Sequence, residues 1–291
     1  LFNINQIRIM LTIILIILAC ILAYLIYKKI NIIISIIFLT SLLGVEYFYL
    51  GFSMQGVFIF LITMISSTIL VERYEKIKDF GMLFFITGML TNFFDFLTVP
   101  MVTYAIPLTL YFLLKRRENN ELNAKKIIID IIKYGALWGI GYGATWFTKW
   151  ALTDILFGKN IISTALMQVS YRSNGYKTYN VLKVIGRNMI YIISQLLVNV
   201  IITILLAKLY EIIKMKKVEK ISITNKEIFI AILPYILISI MPFIWYALLQ
   251  NHSYYHAFFT YRNLILTSLG ICLCLEETLT LQFKTKGDIE K

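Results

Sequence analysis

The sequence predicts an all-α protein that crosses a membrane many times, and three observations carry that prediction. Hydrophobic residues make up 59% of the 291-residue chain and charged residues only 15%, where a soluble domain has about 25% charged. Apolar runs of roughly 18–22 residues recur along the whole length, and about 20 residues cross a bilayer as a helix. The basic residues gather in the short stretches between those runs, the usual bias of membrane topology. A net charge of +12 in a soluble protein would point to nucleic acid. Placed in inter-helix loops it does not, and no nucleic-acid partner is expected.

Nine spans follow, at about 9–27, 31–50, 55–71, 80–99, 101–114, 127–150, 189–209, 228–249 and 264–283. The first runs from Ile9 to Tyr27, lacks a small-residue cleavage site and ends in Lys28-Lys29, so it is no signal peptide. The fifth is the shortest, and Pro100 and Pro107 are placed to bend it. In the sixth, Gly139 and Gly143 form a small-xxx-small face for close helix packing. The eighth holds Pro234 and Pro242, tolerated where neighbours satisfy the freed carbonyl. The ninth carries Glu276-Glu277, either a polar interhelical contact or an early helix end. Cys20, Cys272 and Cys274 lie inside apolar runs and read as buried small residues. No internal repeat or low-complexity linker divides the chain, so one transmembrane domain, 1–291, is expected.

Four basic clusters fall on one side of a nine-span chain. They are Lys28-Lys29, the run from Lys115 to Lys126, the run from Lys208 to Lys226, and Lys284, Lys286 and Lys291. The positive-inside rule makes that side the cytoplasm, with the C-terminus inside and the first residue of this chain outside. The segment 151–188 then lies outside and breaks the bias, with Lys159, Arg172, Lys177, Lys183 and Arg187 against Asp154 alone. It reads as a solvated loop or as a platform for an anion, since Arg and Lys grip phosphate through charge-assisted hydrogen bonds. Lys149 and Trp150 lead into it, where anchoring at the interface is an equal reading.

Two stretches stand out as chemistry. The outward loop 250–263 contains both histidines, His252 and His256, four residues apart and followed by Arg262. Arg262 could grip a phosphate, and a His could donate to it or act as acid or base. Without a Cys, Asp or Glu nearby the pair makes a poor metal site, and no cofactor is expected. An interfacial aromatic belt with incidental polar residues is the alternative. The second stretch is Asn92 to Pro100, where Asp95 sits in an apolar run near its outer end. A carboxylate there is costly unless paired or functional, and Lys149 and Arg262 are the candidate partners. Glu46 holds a similar outer position, with the end of a span as its plainer explanation.

Three stretches carry a family resemblance: Trp138 to Trp150, Phe94 to Thr98, and Asn251 to Arg262. With them the chain resembles many-span membrane proteins of low-GC Gram-positive bacteria and, more widely, the GT-C glycosyltransferases, which use polyprenyl-phosphate sugars. The stretches cover some forty residues. The resemblance implies sugar transfer from a polyprenyl-phosphate donor to a cell-envelope acceptor on the outer face. Asp95, His252 and His256 would then be catalytic, and Arg262, Lys149, Arg172, Lys177, Arg187 and Glu46 would bind substrate. GT-C enzymes carry their catalytic carboxylates in the first outward loop, yet no acidic residue precedes Glu46 here. A chain that begins with Leu1 fits a truncated member with that loop upstream, and an alternative start codon gives the same appearance. The competing class is a transporter or lipid-handling protein without covalent chemistry. Depth separates the two: a relay needs these groups at the membrane midplane, the enzyme at the outer rim.

Overall fold

Asparagine and threonine side chains start many of the helices. In the computed structural model, which describes residues 3–54, 56–95, 97–118, 123–173, 180–215 and 223–281, Asn3 and Gln6 form a capping box ahead of α1 (Ile4–Lys29). Asn31 caps α2 (Ile32–Leu43) by accepting from the Ile34 amide. A bend of 53° follows, and the chain continues through a short 3-10 turn into α3 (Leu50–Ser53). Next come α4 (Val57–Arg73), α5 (Gly81–Phe94) and α6 (Pro100–Arg117), the last with proline in its first turn, where no amide is missed. Asn123 caps α7 (Ala124–Phe157), the longest helix at 34 residues. Then follow α8 (Ile161–Ser173), α9 (Val181–Met189) and α10 (Ile193–Met215). Thr224 and Glu227 form a second capping box at α11 (Asn225–Leu248). The chain closes with α12 (Gln250–Tyr255), α13 (Ala257–Thr260) and α14 (Ile265–Thr280). Every regular element among the described residues is helical.

Five helices are long and apolar enough to cross a membrane, and six if α2 and its bent continuation count as one. That is fewer than the nine spans expected. The difference lies in α4, α5 and α6, of 17, 14 and 18 residues. At 1.5 Å per residue α4 and α5 reach about 26 and 21 Å, short of a hydrocarbon core of about 30 Å, and the 18 residues of α6 include Lys115, Arg116 and Arg117. The sixth expected span also runs well past residue 150, since α7 continues to Phe157. The apolar side chains left outside belong to a lipid-facing surface: Ile13 and Ile17 on α1, Ile140 and Phe147 on α7, Leu197 and Leu205 on α10 are all exposed.

The helix that looks weakest in the sequence is the centre of the bundle. From Val102 to Leu114 every residue of α6 is buried, the signature of a helix surrounded by protein on all sides. It packs against α4, α5, α11 and α14, and it runs through Pro107 without ending. The tightest approach is α5 against α7. A Cβ placed on Gly88 would lie 2.0 Å from the Trp138 carbonyl oxygen, and one on Gly141 would lie 2.2 Å from that of Phe85. Gly139 and Gly143, the expected packing pair, have nothing within 4 Å. The contact face of α7 is therefore rotated away from them. Cys20 likewise is exposed on α1, while Cys272 is buried and Cys274 half-buried, and all three are free thiols.

Polar cross-links tie the two ends of the bundle. At one end the basic residues meet: Lys29 pairs with Glu75, Lys115 with Asp130, Arg116 with Glu277, and Arg117 donates to the Lys29 carbonyl. Lys284, Lys286 and Lys291 lie outside the described residues, as do the middles of both basic runs. At the other end Asn188 of α9 donates to the carbonyls of Val184 and Ser253 and accepts from Thr260 at 2.8 Å. Replacing Asn188 by Ala strands these buried groups, each worth about 1–3 kcal/mol. We expect Asn188→Ala to destabilise the protein by about 2–4 kcal/mol, read as a lower midpoint of thermal unfolding in detergent.

Candidate functional site

The α5 helix ends at Phe94, and the connection to α6 turns at once so that Asp95 faces inward. Its Oδ1 accepts from the Thr98 amide at 2.9 Å, from the Thr98 hydroxyl and from the Val99 amide at 3.4 Å. These bonds hold Leu97 in a left-handed backbone conformation, φ 65°. For a residue other than glycine that is strained. The Asp95 side chain is thus locked by its own loop, and neither Lys149 nor Arg262 is its partner. Asn263 braces the same loop from outside by donating to the Thr98 carbonyl at 3.0 Å.

Oδ2 of Asp95 is buried and has no hydrogen-bond partner among the described residues. It is one of several such atoms. Both amide atoms of Asn92, the Tyr142 hydroxyl and Nε2 of His252 are buried as well, with no close hydrogen-bond partner among the described residues. Tyr142 sits beside the Asn92 amide and within electrostatic reach of both Asp95 and Arg172. The His252 ring lies against the Leu97 carbonyl and feels His256 and Arg172. Asn92, Asp95 and His252 are 3%, 9% and 8% exposed. Buried polar groups gathered from three separate helices and a loop give a polar occupant several possible partners. Beyond His252 a cavity of about 500 Å³ opens, lined by Tyr171 and Arg172 of α8, Asn251 and both histidines. Asn251 closes one wall by donating to the Tyr171 carbonyl at 2.9 Å. The histidine rings are 4.8 Å apart, and His256 stacks on Phe259.

Burial sets the charge states. It pushes the Asp95 carboxyl up to about 6, against the Thr98 and Val99 bonds that pull it down. It holds His252 down to about 4, with the charges of His256 and Arg172 acting the same way. His256 is lowered too, by burial and then by Arg172. At neutral pH this end of the bundle therefore carries a carboxylate at Asp95, and the neighbouring cavity is lined by two neutral imidazoles and one guanidinium.

These shifts fix a sign. An unfolded histidine takes its proton near 6.5, while folded His252 resists to about 4. Its contribution to stability is full above 6.5 and is lost as the pH falls toward 4. Asp95 acts oppositely, because its folded carboxyl keeps a proton up to about 6 that the unfolded chain releases near 3.8. Stability that it lends at low pH is lost as the pH rises between those values. Going from pH 7 to pH 5, the unfolding midpoint of the wild type should drop further than that of His252→Gln. An equal drop in both would remove His252 as the cause.

The structure gathers Asp95, His252, His256 and Arg172 at one end of the bundle. Lys149 touches the same end of α5, its ammonium 3.5 Å from the Asn92 carbonyl and 4.6 Å above the Phe93 ring. The remaining candidates lie apart. Arg262 pairs with Glu46 at 3.3 Å and donates to the Val45 carbonyl. Arg187 stacks over Tyr254, and Lys177 lies outside the described residues. Asn92, Tyr142 and Tyr171 were not singled out from the sequence. The one trace of Tyr142 there is its spacing, since Trp138, Tyr142, Trp146 and Trp150 recur every fourth residue. In the structure they form a continuous ladder, with ring centroids 5.2, 5.6 and 5.1 Å apart. Among the described residues no three His, Cys, Asp or Glu side chains converge as a metal site. Comparison with family models, curated proteins and solved structures gives no match.

Proposed function

We propose that this chain is an integral membrane glycosyltransferase that moves a sugar from a polyprenyl-phosphate donor to a cell-envelope acceptor. The observation that carries the reading is Asp95, a buried carboxylate with one oxygen locked by three donors and the other unpartnered. That is the arrangement of a positioned general base. Around it, the Asn92 amide can accept from one sugar hydroxyl and donate to its neighbour, and Tyr142 and His252 supply two further polar contacts. Arg172 provides a cation for the phosphate.

In this reaction the acceptor hydroxyl gives its proton to Asp95 Oδ2 as its oxygen bonds the anomeric carbon. The bond from that carbon to the phosphate oxygen breaks, and its electron pair stays on the phosphate. Attack from the far face inverts the configuration. Arg172 meets the charge that grows on the departing polyprenyl phosphate. The placement favours this over a relay, because Asp95 lies in the connection after α5 and His252 in the short α12, both at the bundle end and neither within a long helix. A nine-span topology belongs with the same reading, with α4, α5 and α6 crossing as short, protein-surrounded helices and α3 completing the bent second span. The basic end then faces the cytoplasm of the bacterial membrane and the Asp95 end faces out.

The test is release of free polyprenyl phosphate. The purified chain in liposomes is given polyprenyl-phosphate-glucose, -mannose or -galactose, with and without wall polysaccharide of a low-GC Gram-positive bacterium. One of these donors should release polyprenyl phosphate faster than in protein-free liposomes, with label passing to the polysaccharide. No release from any donor, together with labelled lipid crossing the bilayer, would overturn the enzyme and favour lipid handling.

A further inference from the structure

The basic end of the bundle holds a second cavity of different character. Its volume is about 360 Å³, and Arg116 and Arg117 of α6, Lys214 of α10 and the first turn of α2 surround it. Glu276 and Glu277 of α14 complete the polar lining, and both are buried. Glu277 fixes Arg116 at 2.5 Å. Asn31 satisfies the Ile34 amide of α2, and the two amides before it in that first turn have no partner inside the helix, which adds partial positive charge. Among the described residues the lining holds three cations and two carboxylates. The rest of the wall is apolar, with Ile32, Leu113 and Leu281 prominent. Ile32 is exposed at the edge, where the cavity meets the apolar outer surface of the bundle.

A small free anion has no use for such walls. A phospholipid has, since its phosphodiester needs the cations and its chain needs an apolar path leading outward. Arg116 is 16 residues along α6 from Pro100, about 24 Å, so this cavity is remote from Asp95 and does not depend on the reading of that site. We propose that it binds the phosphate of an anionic phospholipid, in the manner of basic pockets between membrane helices.

The experiment uses the full chain in detergent and displacement of fluorescent phosphatidylglycerol. Unlabelled phosphatidylglycerol should compete about tenfold better than phosphatidylcholine, the gain of a cationic pocket for a net anionic headgroup. Arg117→Gln combined with Lys214→Gln should bring the two lipids within about twofold of each other. Lys214→Gln alone leaves both arginines in place and should give a partial loss, which covers the case of a double variant that does not fold. Equal competition by the two lipids, or a preference that survives in the double variant, would overturn the proposal. Displacement by inorganic phosphate at concentrations as low as the lipid's would assign the site to the free anion and overturn the lipid.

Discussion

Asp95→Asn should lower polyprenyl-phosphate release by about 10²–10⁴-fold, the usual contribution of a positioned base, without destabilising the fold. The second half of that result is what separates a catalytic role from a structural one. Asn keeps an oxygen where Oδ1 accepts from Thr98 and Val99, so the loop retains its bonds. It also removes a carboxylate whose charged form burial disfavours, as its rise to about 6 records. The unfolding midpoint above pH 6 should therefore hold or rise, the trade of stability against activity expected at a functional site. A variant that loses turnover and stability together would place Asp95 in the scaffold. One that keeps its turnover would end its candidacy as the base.

The other large effect concerns the α5–α7 contact. Gly141→Leu should destabilise the protein by at least about 3 kcal/mol, in the range of severe packing errors, because its Cβ alone would sit 2.2 Å from the Phe85 carbonyl oxygen. Backbone, not a flexible side chain, is what it meets, so the helices must part. Gly88→Ala should act alike through the Trp138 carbonyl at 2.0 Å. Gly139→Ala and Gly143→Ala, with open space around them, should be neutral or gain up to about 1 kcal/mol from helix propensity. Thermal unfolding of the four variants in one detergent decides this. Since α5 ends at Asp95 and α7 carries Tyr142, the first two variants should also lose function and the latter two keep it.

That contrast shows what spacing can and cannot tell. Glycines four apart mark a face able to pack closely, but here the partner glycine is on α5 and the face it meets is centred on Gly141. Hydropathy likewise finds helices that touch lipid and undervalues α6, whose polar and proline residues are tolerated because protein surrounds them on every side. Asp95 was legible because a carboxylate in an apolar run has a physical cost that demands a reason. Tyr142 was not, since an aromatic residue in a membrane helix is ordinary until its hydroxyl is seen stranded beside Asn92. Arg262 and Glu46 are 216 residues apart in the chain, so no local pattern could disclose that they meet each other.

The aromatic ladder has an optical consequence. Trp138, Trp146 and Trp150 are three of the four tryptophans in the chain, and Trp138 and Trp146 stand on either side of Tyr142. Emission from the protein is thus dominated by rings that share a helix face with Tyr142, the phenol beside Asn92. An occupant that meets Asn92 and Tyr142 changes the polarity around these indoles and should shift their colour, so the Asp95 end reports its occupancy without any label.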